Sequence, residues 1–326
     1  MKRSAFGPVL LLSALAAQFG AAQSCAAQEA YPNRSIRLIV PFAPGGNTDV
    51  VGRLTAAHMQ KVMNANVVVE NRAGAGGING TDVVAKATPD GYTLCVCGIG
   101  PITVSPATEK LPYDPLKDLA PISLINTNPL ILVVNPNLEA KTAAEVASLS
   151  KRRPQGLSYG TVGAGGLMQF AAEIFRVKTG SNFTAVPYRG GALATAAVVS
   201  GEVHLAFSNM SDAMAQMAAG TVRPLAITTA KRNPQTPDIP TLMELGLVDY
   251  PVESWNGLFA PSGTPPAIIE KLAQIMREMA KEEALQKRMA EIGSIAVANS
   301  PDEYAAMLRT ETEQWAKALR VIGLAK

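Results

Sequence analysis

Apolar runs of four or five residues alternate with helix-length segments along most of this chain. Twice the switch from one to the other passes through a glycine loop. In "IRLIVPFAPGGNTDVVGRLTAAHM", residues 36–59, Ile36 to Val40 read as a strand, Pro41 to Gly46 as a loop and Asn47 onward as a helix. "LSYGTVGAGG", residues 157–166, repeats that order before a helix around Phe170 to Lys178. Val67 to Val69, Tyr92 to Cys97, Leu130 to Val134 and the segments "TAVPY", "VHLAF" and "PLAITT" read as further strands. Helices are expected near Thr81 to Lys86, Ala192 to Val199 and from about Asp212. Such repeated alternation predicts an α/β fold with mainly parallel sheets. Thr142 with Glu145, and Ser300 with Glu303, have the spacing of capping boxes. Thr264 before Pro265 predicts an N-cap with proline at the first helical position. Ile268, Leu272, Ile275 and Met279 recur on one helical face, and Tyr304, Leu308, Trp315 and Leu319 carry an apolar stripe to the C-terminus.

The first residues have another character. Lys2 and Arg3 precede an apolar run from Pro8 to Ala17 that is too short to span a bilayer. Small residues follow, with Cys25-Ala26-Ala27 as a cleavage site, so residues 1–27 are expected to be a secretory signal peptide. Ala22-Gln23-Ser24 is a poor lipobox, which weighs against acylation of Cys25. Cleavage removes two cations from a chain of formal charge +3 and leaves it near neutrality. Such a chain has no electrostatic case for nucleic acid or an anionic membrane, and no later run predicts membrane insertion. Export also argues against NAD or ATP, and no cofactor is expected.

Cys95 and Cys97 in "YTLCVCGIG" fall on one face of a strand, a spacing read as two small core residues rather than a bridged pair. With His58 and His204 the only histidines, no metal site is expected.

Three enzyme signals are weak. Gly156 to Gly160 matches G-x-S-x-G, but Lys151-Arg152-Arg153-Pro154 cannot be the buried strand that leads into a nucleophile elbow. A hydrolase would need Ser158, an acid at Glu173 or Glu202, and His204. "NRAGAGGING" has Asn79 where a dinucleotide loop needs a third glycine or alanine. No Lys-Ser or Lys-Thr follows the glycines of the opening loop, as a P-loop requires. What remains is a pair of glycine loops entering helices, whose free amides and dipole can hold a phosphate, sulfate or carboxylate without a side-chain cation. Two such loops on two domains could close on one anion. Asp49 would repel that anion and is read as a loop brace.

The segments "YPNRSIRLIVPFAPGGNTDVVGRL", "VVVENRAGAGGINGTDVVAKATPDGYTL", "LPYDPLKDLAPISLI", "LSYGTVGAGG", "VPYRGG" and "SWNGLFAPSGTP" resemble the Bug proteins, the solute receptors of tripartite tricarboxylate transporters. The resemblance spans essentially residues 31–324. It implies a two-domain periplasmic-binding-protein fold, type II-like, with a ligand cleft between two α/β domains. Domain 1 would be residues 28–127 plus 251–326 and domain 2 residues 128–250, with crossovers near Asn126 to Pro129 and Tyr250 to Trp255. It also implies a periplasmic monomer that is not an enzyme, binds a small carboxylate and serves membrane transporter subunits. Carried over, the binding residues are Phe42, Ala43, Pro44, Gly45, Gly46 and Thr48 with Asp49 as brace, and Thr161, Gly163, Ala164, Gly165 and Gly166. Side walls would come from Gly98, Gly100, Pro101, Tyr188, Ser208 and Asn209. Here Gly166, Met168 and Gln169 replace the family's hydroxyl and imidazole groups, and Ser208 stands where an acid often precedes Asn209. Those departures favour a dicarboxylate or an aromatic acid over an amino acid. An output to a sensor rather than to uptake is equally compatible with the sequence.

Overall fold

Two strands carry the architecture. β4, Leu119–Val134, is sixteen residues long, and its first part pairs antiparallel with β9, Glu253–Pro261. From Leu130 onward β4 turns to other partners, β7 (Leu205–Asn209) and β8 (Arg223–Ile227), both antiparallel. One strand therefore belongs to two groups. On the β9 side lie β1 (Ile36–Val40), β2 (Val67–Asn71) and β3 (Thr93–Gly98), parallel to one another. On the β7 side lie β5 (Leu157–Thr161) and β6 (Phe183–Pro187), parallel to each other and to β7. The order across the sheet is β2-β1-β3-β9-β4-β7-β5-β6, with β8 and the two-residue β10 (Ile295–Ala296) also pairing with β4. The computed structural model describes residues 31–163, 166–321 and 323. The expected signal peptide and Cys25 lie outside the described residues, as do Ala164 and Gly165.

The sheet is mixed rather than mainly parallel. Strand–helix–strand units make the parallel triplets, and antiparallel pairing appears wherever the chain crosses between them. The helices are α1 (Asn47–Met63), α2 (Ile78–Ala85), α3 (Ala143–Arg152), α4 (Leu167–Thr179), α5 (Gly191–Ser200), α6 (Met210–Ala218), α7 (Pro266–Lys281), α8 (Glu283–Glu291) and α9 (Pro301–Val321). The Ser300 box forms in full, with Ser300 and Glu303 capping each other's amides, while at Thr142 the hydroxyl accepts from the Glu145 amide at 3.2 Å and the Glu145 carboxylate accepts from the Lys141 amide, one residue before the cap. α7 begins one residue later than expected, because the Thr264 hydroxyl donates to the Pro261 carbonyl instead of capping.

The cysteines correct another expectation. Cys95 and Cys97 are joined in a disulfide. Their Cα atoms are 5.5 Å apart, inside the range a disulfide tolerates, because the strand is drawn in from full extension. Both are fully buried on β3.

α9 packs on the sheet through Tyr304, Leu308 and Leu319, all buried. Tyr304 meets Phe259 and Trp255 of β9, with ring centroids 5.3 and 5.8 Å apart. Its hydroxyl is buried without a hydrogen-bond partner among the described residues, and it occupies the space that a methyl group on Gly257 would need. Gly257→Ala should therefore cost about 2 kcal/mol by overpacking. Tyr304→Phe removes an unsatisfied group and should be close to neutral. Thermal denaturation should show the double variant losing less than the sum of the single ones; strict additivity would mean that the two positions do not compete for that space.

Candidate functional site

Four helices start around one cavity, and none is capped by the side chain of its own N-cap residue. The N-cap residues are Gly46 for α1, Gly166 for α4, Gly190 for α5 and Asn209 for α6. The first amides of a helix have no partner within it, so the sequence leaves donors and the positive ends of dipoles pointing into one space. Each helix follows directly on a strand, or on a short loop after one, so the cavity sits at the carboxyl ends of β1, β5, β6 and β7. Its walls include Phe42, Gly46, Asn47 and Thr48 from the first loop and Val162, Gly166, Leu167 and Met168 from the second. Gly98 at the end of β3, Ile99 and Gly100 just after it, Gly191, Asn209, Asp212 and Ser254 complete it with Gly76.

The two sides of the cavity touch. The Ala43 amide donates to the Arg189 carbonyl at 3.1 Å, and the Asn47 amide to Asp212 Oδ1 at 2.7 Å. About 50 Å³ of free space remains between them, enough for a few waters. A second cavity of ≈ 320 Å³ shares Phe42, Gly76 and Val162 as walls and continues past Gly163, Tyr188 and Arg189. The "NRAGAGGING" turn, which is no dinucleotide loop, lines both through Gly76.

The expected binding residues divide accordingly. Phe42, Gly46, Thr48, Gly98, Gly100, Gly166 and Asn209 line the inner cavity, and Gly163 and Tyr188 the outer one. Ala43 lies against Gly190 across the gap, while Pro44 and Gly45 form the exposed tip of the first loop. Gly45 has φ +89°, a conformation that suits glycine. Asp49 braces this loop: it accepts from the Gly45 amide at 2.9 Å, from Arg53 and from Asn71. Burial acts to raise its carboxyl, but those donors outweigh it and hold the group below the usual range. Thr161 ends β5 and its carbonyl receives the Tyr188 amide. The Pro101 carbonyl accepts from Tyr113. Ser208 is behind the wall, fully buried and 2.8 Å from the Thr195 hydroxyl.

Sequence reasoning missed Gly76, Ser254 and above all Asp212. The cavity wall does carry an acid, displaced by four positions from the one sought at Ser208, onto the first turn of α6. Its Oδ2 is 3.4 Å from Nδ2 of the Asn209 side chain. Burial pushes the Asp212 carboxyl up to about 6, against the opposing effect of the Asn47 and Asn209 donors.

Behind the wall, Ser254 and Trp255 point to opposite faces of β9. The Trp255 indole donates to Glu311 of α9, and so does Thr103 at 2.9 Å. Burial pushes Glu311 up to about 7 despite these donors. Glu311 lines a larger cavity of ≈ 520 Å³ with Tyr250, Glu253 and Trp315. No glycine loop borders it, so size alone does not mark the site.

Ser158 and His204 are in contact, with Oγ 2.7 Å from Nδ1. The Ser158 amide also donates to Nδ1, and the Arg153 guanidinium lies 3.1 Å from Nε2. Burial first, then Arg153, hold His204 below its ordinary pKa. A guanidinium thus stands where a triad needs a carboxylate. Glu173 pairs with Arg176, and Glu202 accepts from Tyr188. Ser158 lies within β5 and not on an elbow. Among the described residues no His, Cys, Asp and Glu cluster could hold a metal, and no helix is long and apolar enough to cross a membrane.

A family model described as the tripartite tricarboxylate transporter family receptor matches residues 51–324. Protein BugT of Bordetella pertussis is 34% identical over 297 residues, covering 90% of this chain and 91% of BugT. A solved R. palustris protein with adipate is 33% identical with a TM-score of 0.87, covering 90% of this chain and 99% of its own. MatC from Rhodopseudomonas palustris with bound malate is 31% identical with a TM-score of 0.85, covering 88% and 99%.

Asp212 and Glu311 have folded-state values above those of the unfolded chain, so each favours the fold most when protonated. Stability from these groups is present at acid pH and is lost as pH rises from about 4 through about 7. Asp212→Asn and Glu311→Gln should each flatten that fall, by up to ~3 kcal/mol. Chemical denaturation at a series of pH values measures it; variants that parallel the wild type throughout would contradict the assignment.

Proposed function

This chain belongs to the tripartite tricarboxylate transporter receptor family, and on that premise we propose that it is a periplasmic receptor that captures a small carboxylate and delivers it to membrane subunits of a transporter. Capture is by hinge closure of two domains, residues 28–127 with 251–326 and residues 128–250, turning about β4 and β9. Export through the N-terminal leader places the monomer where such a receptor works.

The observation that carries this reading is the set of four helix starts at one cavity, none capped by its own N-cap side chain. Backbone donors hold an anion head in a site that supplies no strong nucleophile, so no bond is made or broken. The outer cavity gives the rest of the ligand room, and exposed Arg189 at its edge attracts further negative charge. The adipate and malate held by two relatives are small carboxylates of this kind. The preference for a dicarboxylate or an aromatic acid rested on a wall without an acid, and Asp212 removes that ground; the carboxylate head remains the defining group.

A thermal-shift screen of small carboxylates tests the proposal. A bound member should raise the apparent stability by about 2.7 kcal/mol at a hundredfold excess over its dissociation constant, and should reduce the radius of gyration in solution scattering. Asp49→Ala, which frees the first loop, should weaken that ligand about tenfold. Ser158→Ala should leave binding unchanged. Absence of any stabilising carboxylate, together with an esterase activity lost in Ser158→Ala, would favour the hydrolase instead.

A further inference from the structure

Asp212 is out of place in a receptor for a plain anion. Its side chain shares the inner cavity with the helix starts that would hold a carboxylate. Among the described residues no cation pairs with it, and the groups acting on it, the Asn47 and Asn209 amides, are neutral. A carboxylate has about four lone-pair positions. Oδ1 uses one on the Asn47 amide at 2.7 Å, whereas Oδ2 has only the 3.4 Å contact to Asn209, beyond the usual range of an N–H···O bond. Asn47 adds a second acceptor, for it is 3% exposed, lines the same cavity, and its Oδ1 has no partner among the described residues. Among the described residues the cavity thus holds unused donors at the starts of α4 and α5 and unused acceptors at Asp212 and Asn47.

We propose that the carboxylate captured here also bears a protonated amine, which sits between Asp212 Oδ2 and Asn47 Oδ1 while the carboxylate takes the amides of α4 and α5. The inference rests on the receptor reading and narrows its ligand to a small zwitterion. Charge requires the partner. Two carboxylates enclosed together repel, and one would have to take up a proton before binding. An ammonium group removes that cost and donates N–H groups to acceptors that otherwise stay unsatisfied. Gly191 keeps the place open: a methyl group there would overlap Asp212 Oδ2.

Calorimetric titration of the full mature chain with matched pairs tests this: succinate against aspartate, glutarate against glutamate, propionate against alanine. Near neutral pH the wild type should bind an amino member at least about tenfold more tightly than its plain counterpart. Asp212→Asn should erase or reverse that ratio by weakening the amino acid and strengthening the plain acid, with Asp212→Ser as a second variant and circular dichroism confirming both folds. An N-trimethyl analogue, which has no N–H to give, should bind weakly to all forms. Plain acids preferred by the wild type, or a ratio unchanged in both variants, would remove the ammonium subsite while leaving the receptor reading intact. Failure of every member of both series to bind wild type would overturn both.

Discussion

The pairing of β4 with β9 is the constraint on which everything else depends. These two antiparallel strands are the covalent crossovers between the two groups of parallel strands, and they hydrogen-bond to each other from Leu119 to Pro129. Because the crossovers are paired, the groups on either side are held edge to edge, and the loops at their strand ends meet over one cavity. Buried asparagines tie this seam: Asn256 donates to Asn126, and Asn126 and Asn128 both donate to Ser294 beside β10. Directional hydrogen bonds within a buried strand pair fix register where apolar side chains alone would permit slippage.

Register has a direct effect on the site. Glycine caps leave helix amides without partners, a cost unless something across the gap accepts from them. Here Asp212 accepts from the first amide of α1, so an acid on one side partly satisfies a helix on the other. Asp49 performs the complementary task within its own loop, where it orders backbone without entering the cavity. Two carboxylates, one on α1 and one on α6, thus have opposite environments. Donors lower one, and enclosure raises the other.

Much of this was legible from local rules. The strand–glycine–helix order at residues 36–59 and 157–166, the helix caps at Thr142 and Ser300, and the bracing role of Asp49 depend on neighbours in sequence. The length of β4 was not legible: only Leu130 to Val134 read as a strand, whereas the strand begins at Leu119 and includes Pro121 and Pro129, residues that central strands disfavour. The strand absorbs the first of them in an irregularity between Pro121 and Ser123, as a bulge permits. Asp212 was hidden for another reason. Whether a residue at the start of a helix faces a cleft depends on what stands opposite, and α1 is 165 positions away. The Cys95–Cys97 bridge turned on strand contraction, which composition does not encode.

Ser158 and His204 show how position along a strand outranks residue chemistry. Their contact has the distance of a nucleophile and its base. Yet Ser158 is the second residue of β5, and His204 immediately precedes β7, its parallel neighbour. Both stand at the amino ends of their strands, whereas Val162 and Asn209, which follow and end the same two strands, reach the cavity. A five-residue strand separates its ends by roughly 13 Å, so the pair is held away from the converging helix starts by the length of the sheet. At the amino ends the helices present their carboxyl termini, which favour cations, and Arg153 stands there beside His204. The environment that would stabilise an oxyanion lies at one edge of the sheet and the hydroxyl–imidazole pair at the other, and the same parallel topology that concentrates amide donors around an anion keeps Ser158 and His204 away from it.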